Sequence, residues 1–519
     1  MKLKVSLDKF LPSTKILTEG LVLAVALVDK KTKGKNYPKT LVDLDKSLKG
    51  LLIETLEAEE FDFLVGSILV ISLSSHNKTA SNLSAVKKVV LLGLGEESKL
   101  DTKVLRKASA SLIRSIKSNK LEKVTVIFPK NPEILAEASI LISYEFDKYK
   151  SVDKSTDKKI VKKDRKFSEM KILVESLSTD GKESVKQALI TAEATCTARD
   201  LVWEPACVVT PSYLAEQAKL IDTKNNTIKV KILEQKDCEK LGMGAYLAVS
   251  QGSDQPPKFI EITYTPVGKV KKHIALVGKG VTFDSGGLSL KPAKSMEMMK
   301  EDMSGAAAVI GIMNAVAKLQ PKGLQITAII AATENMPSGR AYRPGDVIIA
   351  MNGKTIEVNN TDAEGRLTLA DAVAYVSKKN PDEIIDFATL TGACMVALGN
   401  VCAGLMTNNQ ELLERVRASA ERSGELMWQL PLYEEYKEGL KSTIADLINA
   451  GSGGKAGAQN GGLFIQEFIG KKKDSEEIIP WLHIDIAGPC WFDQDMDWSP
   501  KGASGMPVRT ILDYISTQS

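Results

Sequence analysis

Residues 360–367 read N-T-D-A-E-G-R-L and set Asp362, Glu364 and Arg366 two positions apart within five residues. Side chains alternate along an extended segment, so the two carboxylates and the guanidinium are expected to face one small volume. T-I-E-V at 355–358 predicts a short strand before it. Residues 367–378 predict a helix after it, with Leu367, Leu369, Ala370, Ala372, Val373 and Val376 on one side. A strand–loop–helix passage carrying two acids and an arginine suits a metal or phosphate site near a helix N-terminus. A solvated capping loop, its acids helping the helix to start, also fits the octapeptide taken alone.

The chain has 519 residues, too many for one ordinary domain, so two or three are expected. Its 69 basic and 65 acidic residues leave a net charge of +4, too near balance to argue for nucleic acid or an anionic membrane as partner. The opening M-K-L-K-V-S-L-D-K-F lacks the apolar core of a signal peptide. No apolar run approaches the ~18–20 residues of a membrane span. The expectation is a soluble, cytoplasmic protein. Cys196, Cys207, Cys238, Cys394, Cys402 and Cys490 form no C-x-x-C pair, so neither a zinc ribbon nor a disulfide framework is indicated. With only His76, His273 and His483 available, any metal site must lean on oxygen ligands. The scarcity of histidine also counts against a Ser-His-Asp hydrolase.

The first part alternates strand patterns (21–28, 63–73, 89–92, 123–128) with helical ones (45–61, 101–118, 133–144), which predicts an α/β domain with a largely parallel sheet. G-L-G-E-E-S at 93–98 reads as a βα turn rather than a nucleotide fingerprint. Residues 148–166 are lysine-rich, and the interspersed aspartates favour a solvated segment between domains. A long helix over 184–202 follows, which places the boundary near residue 175. Further on come strands at 273–277, 324–332, 383–391 and 481–486 and helices at 303–319 and 463–469. The glycine-rich stretch 451–462 is expected to be a mobile loop.

Four more polar residues precede the octapeptide: Lys279 and Asp284 in G-K-G-V-T-F-D-S-G-G, Lys291 in L-S-L-K-P, and Asp302 ahead of the 303–319 helix. Ligands in open α/β sheets bind beyond the carboxyl ends of strands. The loops after 273–277 and 355–358 could thus bring Lys279, Asp284, Asp302, Asp362 and Glu364 to one crevice. Four carboxylates do not share a small space as naked anions, because like charges raise one another's pKa. Two divalent ions about 3.5–4 Å apart would neutralise them and supply a hydroxide nucleophile near neutral pH. Each residue also has a plainer reading: Asp302 as a helix cap, Asp284 as an Asx turn, Lys279 as an exposed lysine at a strand end.

G-K-G-V-T-F-D-S-G-G-L-S-L-K-P, M-K-E-D-M-S-G-A-A-A-V, N-T-D-A-E-G-R-L, D-F-A-T-L-T-G-A and W-L-H-I-D-I-A-G, in this order over roughly 198–510, closely resemble the dizinc cytosolic leucine aminopeptidases. With the boundary near 175, two α/β domains are expected: a smaller one over 1–175, which shares only its α/β character with the family, and a catalytic one over 176–519 with a central mixed sheet flanked by helices. The resemblance implies Lys279, Asp284, Asp302, Asp362 and Glu364 as metal ligands. Asp284 and Glu364 would bridge, Lys279 and Asp302 would complete the tighter site, and Asp362 the more exchangeable one. Lysine ligates only when neutral, so its pKa must fall well below its ordinary value in the loaded site. Lys291 corresponds to the electrophile that polarises the scissile carbonyl. Arg366 corresponds to an arginine holding a bicarbonate that acts as general base.

Met299, Thr389, Leu390, Gly392 and Ala487 fall on substrate-contacting positions, with core packing a plain alternative for Met299. The implied activity is release of N-terminal, leucine-like residues from peptides with a free N-terminus, through a hydroxide bridging two divalent ions. Those ions are zinc in the family, with manganese, magnesium and cobalt also suited to carboxylates. The family forms homohexamers. Ser304 stands where glycine is usual, Cys490 where a pocket methionine is common, and L-V-W-E-P at 201–205 and A-Q-N-G-G-L-F at 458–464 depart from the usual wording. His483 reads as a structural histidine. The alternatives are a two-metal phosphoesterase, which would use the same carboxylates with Arg366 on phosphate, and a DNA-binding or non-catalytic relative.

Overall fold

The computed structural model describes residues 3–11, 14–27, 37–73, 83–151, 166–221, 227–451 and 454–519; most of the lysine-rich stretch expected between domains lies outside them. The chain forms two compact units, Met1–Glu193 with Asp495–Pro500, and Ala194–Gln494 with Lys501–Ser519. The division falls inside the helix Thr179–Trp203.

The first unit carries a six-stranded sheet in the order Lys4–Lys9, Glu169–Val174, Lys123–Ile127, Gly20–Leu27, Lys88–Glu96, Ile68–Ser72. Every neighbouring pair is parallel except the last. Alternate residues of a strand face opposite sides. Leu21, Leu23 and Val25 therefore pack with the helices Lys39–Ser47 and Leu51–Ala58, while Val22 packs with Thr102–Ser118 and Pro132–Leu141. Burial on both faces is why this strand is an unbroken apolar run.

The helix expected over 45–61 is two helices. The break comes at Lys49 and Gly50, whose φ values of 59° and 84° are left-handed. Asp45, last turn of the first, caps the second: its Oδ1 accepts from Leu52 N at 2.8 Å and Ile53 N at 3.1 Å. Of the strand expected at 63–73 only Ile68–Ser72 forms.

The second unit is built on a mixed eight-stranded sheet in the order Leu426–Gln429, Cys402–Thr407, Trp481–Asp485, Glu383–Ala388, Lys272–Asp284, Leu324–Asn335, Lys258–Tyr264, Ile228–Leu233. Its middle is parallel: Lys272–Asp284 runs between Glu383–Ala388 and Leu324–Asn335. The helices Ser304–Leu319 and Gly365–Ser377 both pack on that central strand. The approach is close, since a Cβ on Gly278 would lie 2.4 Å from the Gly305 carbonyl oxygen. The glycine-rich stretch expected to be a loop instead enters a helix, Gly457–Gln466. Its glycines are tolerated because the neighbours press close; a Cβ on Gly462 would meet Met406 Sδ at 2.7 Å. No helix among the described residues is long and apolar enough to cross a membrane.

Candidate active site

Lys279 and Asp284 lie within one strand rather than in a loop after it. Lys272–Asp284 runs well past the end expected at 277, because Leu324–Asn335 pairs with it to the last residue, with a bulge between Thr333 and Asn335. Lys279 is accordingly buried, 3% exposed, and not a strand-end surface lysine. Its alkyl chain runs under the start of the helix Gly365–Ser377, where a Cβ on Gly365 would stand 2.5 Å from Lys279 Cε. A methyl group at 365 would therefore push the lysine of the earlier motif off Asp302 and Glu364.

Asp362 and Glu364 reach the same place by a route other than the extended one expected. Residues 361 and 362 form a turn, closed by Ala363 N donating to Asn360 O at 3.2 Å, and Glu364 is already helical at φ −79°, ψ −34°. Arg366 stands in the first turn of that helix. Its Nη1 donates to the Asn449 carbonyl at 3.0 Å, and Nε is buried without a partner. Burial pulls the guanidinium down to about 10, which leaves it cationic at neutral pH.

Asp302 does not cap the helix it precedes: Met303 is the N-cap, without a side-chain bond. Its Oδ1 instead accepts from Lys279 Nζ and from Thr389 Oγ1, both at 2.7 Å. Asp284 does form the Asx turn, Oδ1 accepting from Gly286 N at 2.9 Å, but it is also part of the cluster.

Two ammonium groups sit among the acids. Lys279 Nζ is 2.7 Å from Asp302 Oδ1 and 2.8 Å from Glu364 Oε1, and donates to Thr389 O at 3.0 Å. Lys291 Nζ is 2.9 Å from Asp284 Oδ2 and 2.6 Å from Asp362 Oδ1. Oxygens of Asp284, Asp302 and Glu364, all buried, lie within 4.8 Å of one another. Burial pulls both lysines down, but the facing carboxylates outweigh it and hold both ammonium groups above their ordinary value. Burial, then neighbouring acids, raises the carboxyls of Asp302, Asp362 and Glu364. Asp302 Oδ2 and Glu364 Oε2 are buried with no hydrogen-bond partner. A buried carboxylate oxygen left bare is costly, and these two are open to a cation.

Thr389 and Leu390 follow the strand Glu383–Ala388, and Leu390 N and Ala487 N both donate to Asp485 Oδ1, at 3.3 and 3.1 Å. Gly392 opens the helix Gly392–Leu398, and Met299 opens the short turn Met299–Glu301 just before Asp302. Ser304 donates to Glu301 O at 2.5 Å, and the Cys490 thiol to Ala487 O at 3.4 Å. His483 is buried against Asp386, Nδ1 to Oδ1 2.5 Å.

Of the supporting residues, Asn335 and Asn449 lie outside every motif, while Thr361, Thr391 and Asp485 lie within motifs but were not singled out. Asn335 donates to Asp284 Oδ1 at 2.8 Å and to Thr361 O at 2.9 Å. Thr361 Oγ1 donates to Gly286 O at 2.6 Å, tying the Asp284 and Asp362 segments together. Asn449 donates through Nδ2 to Asn360 O at 2.7 Å, and Asp485 accepts from Thr391 Oγ1 at 2.6 Å. A lone asparagine at a strand end offers no spacing to read.

The catalytic-domain description of the cytosol aminopeptidase family matches residues 196–512, and the description of that family's N-terminal domain matches 22–153. The protein named "Probable cytosol aminopeptidase" in Gloeobacter violaceus is 43% identical over 92% of this chain and 94% of its own length. Its namesake in Aquifex aeolicus is 42% identical over 94% and 96%. Among solved structures, a mutant of tomato leucine aminopeptidase superposes with a TM-score of 0.84 at 35% identity, covering 99% of this chain and 97% of the other. The bottromycin maturation enzyme BotP, solved in complex with Mn, gives 0.80 at 29%, covering 96% and 99%. With both of its domains matched and whole-length relatives at this level of identity, the chain belongs to the cytosol aminopeptidase family.

Proposed function

We propose that the protein is a metal-dependent aminopeptidase that removes leucine-like N-terminal residues from peptides, using two divalent ions. The observation that supports this most is the buried acidic cluster with two bare carboxylate oxygens, which fits cations and little else. Lys279, Asp284, Asp302, Asp362 and Glu364 would hold the ions, zinc or a comparable divalent cation. Bound there, the pair would supply Lewis acidity, a water of lowered pKa, and a coordination position that only an unblocked α-amine fills, which confines cleavage to the first peptide bond.

The chain's own groups do the rest. Lys291, kept charged by its carboxylate neighbours, donates to the carbonyl oxygen of the scissile bond as negative charge builds there. Arg366, buried and cationic with Nε to spare, holds a small anion such as bicarbonate that takes up a proton from the attacking water. Met299, Thr389, Leu390, Gly392 and Ala487 line the space for the first side chain. An apolar wall separates side chains by only about 1–3 kcal/mol per methylene, so preference for leucine is broad. The protein works in the cytoplasm as a homohexamer.

The test is hydrolysis of leucyl-4-nitroanilide by purified protein, abolished by chelator and restored by divalent ions. N-acetyl-leucyl-4-nitroanilide and 4-nitrophenyl phosphate should stay uncleaved. Phosphate release with no nitroaniline would replace this reading with a phosphoesterase.

A further inference from the structure

The first unit contains a cavity of about 310 Å³, at the lower end of the roughly 300–1,000 Å³ range of small-molecule sites. Its place follows from the sheet. Gly20–Leu27 and Lys123–Ile127 are parallel neighbours. The chain leaving the first forms the helices Lys39–Ser47 and Leu51–Ala58 on one face, and the chain leaving the second forms Pro132–Leu141 on the other. The cavity lies on the first of these faces, between the sheet and Lys39–Ser47, which supplies Lys39, Thr40, Asp43, Leu44 and Ser47 to its lining. Among the lining residues, Ile127 ends its strand, Phe10 and Glu175 directly follow the ends of theirs, and Leu21 stands near the start of its own.

The lining is graded. Ile16, Leu21, Leu83 and Ile127 form a buried aliphatic floor. Lys39, Asp43 and Glu175 are exposed at the mouth, and Thr40 donates to Glu175 Oε1 at 3.3 Å, holding that acid beside the helix. A complementary ligand has a branched apolar body, an ammonium group for Asp43 and Glu175, and a carboxylate for Lys39. Two acids against one lysine reject phosphates and other multiply charged anions.

We propose that this cavity is a second binding site, separate from the carboxylate cluster, for a free zwitterionic α-amino acid with an aliphatic side chain such as leucine. Every residue lining it belongs to the first unit.

The experiment is calorimetric titration of L-leucine into the full chain carrying Glu364→Gln and dialysed against EDTA, which silences the carboxylate cluster. One saturable site per chain is expected. Asp43→Asn with Glu175→Gln, both exposed and so harmless to folding, weakens it by about tenfold or more, the worth of one charged hydrogen bond. Leu44→Trp, on the wall, fills the space and abolishes it. Isovalerate and isopentylamine, each lacking one charge, bind at least about tenfold more weakly than leucine. No saturable binding, or an affinity unchanged in both the acidic double variant and Leu44→Trp, overturns the site. Equal binding of the singly charged analogues overturns the zwitterion.

Discussion

Asn335 donates through Nδ2 to Asp284 Oδ1 at 2.8 Å, which leaves Oδ2 to face Lys291 at 2.9 Å. The two residues pair across the bulge where the central parallel strands end. Groups that orient a metal-holding carboxylate carry about 10–100-fold of metal affinity or activity. Asn335→Ala should therefore lower bound divalent metal and kcat/KM together by about that factor, read by elemental analysis and nitroanilide assay. A full metal complement with unchanged turnover would show that Gly286 N alone orients Asp284.

Glu364→Gln and Lys291→Ala should separate. Glu364 is one of three clustered buried acids, and its Oε2 has no partner; the amide should lose metal and nearly all activity. Lys291→Ala should keep both ions and lose about 10²–10³ in kcat, the usual worth of a donor aimed at developing oxyanion charge. Metal counts on both purified variants decide the assignment.

Metal uptake should release protons. The carboxylates hold Lys279 charged against the pull of burial, and a lysine that ligates must be neutral. Acid therefore opposes loading, so metal affinity should fall as pH is lowered. Calorimetry in buffers of different ionisation enthalpy should give a proton count that drops in Lys279→Met.

His483 should tilt stability with pH. Burial lowers its pKa, but Asp386 at 2.5 Å outweighs that, and the folded value is raised. A raised base stabilises the fold fully below its unfolded pKa, about 6.5, and this is lost as pH rises through the folded value. Thermal melts should show wild type losing its advantage over Asp386→Asn on going from acid to alkaline buffer. An equal gap at all pH values would mean that Asp386 acts only through Trp481 Nε1, 2.6 Å away.

What the sequence determined alone was largely local. An apolar run such as Gly20–Leu27 announces a strand buried on both faces, and the order of motifs from Lys279 to Glu364 marks which residues belong together. Residues whose meaning is a long-range contact stayed hidden: Asn335 and Asn449 carry no spacing, and the Asp45 cap depends on a turn at Gly50 that only packing selects. The octapeptide shows both kinds at once. Its acids were legible as a pair, but the geometry uniting them is a turn, and Arg366 finds its hydrogen-bond partner in Asn449, far off in sequence. Periodicity reports which side of an element meets the core. Which element passes over which, as the Gly365 turn passes over Lys279 with no room for a methyl group, is fixed by close packing between segments far apart in sequence, and only the folded chain decides it.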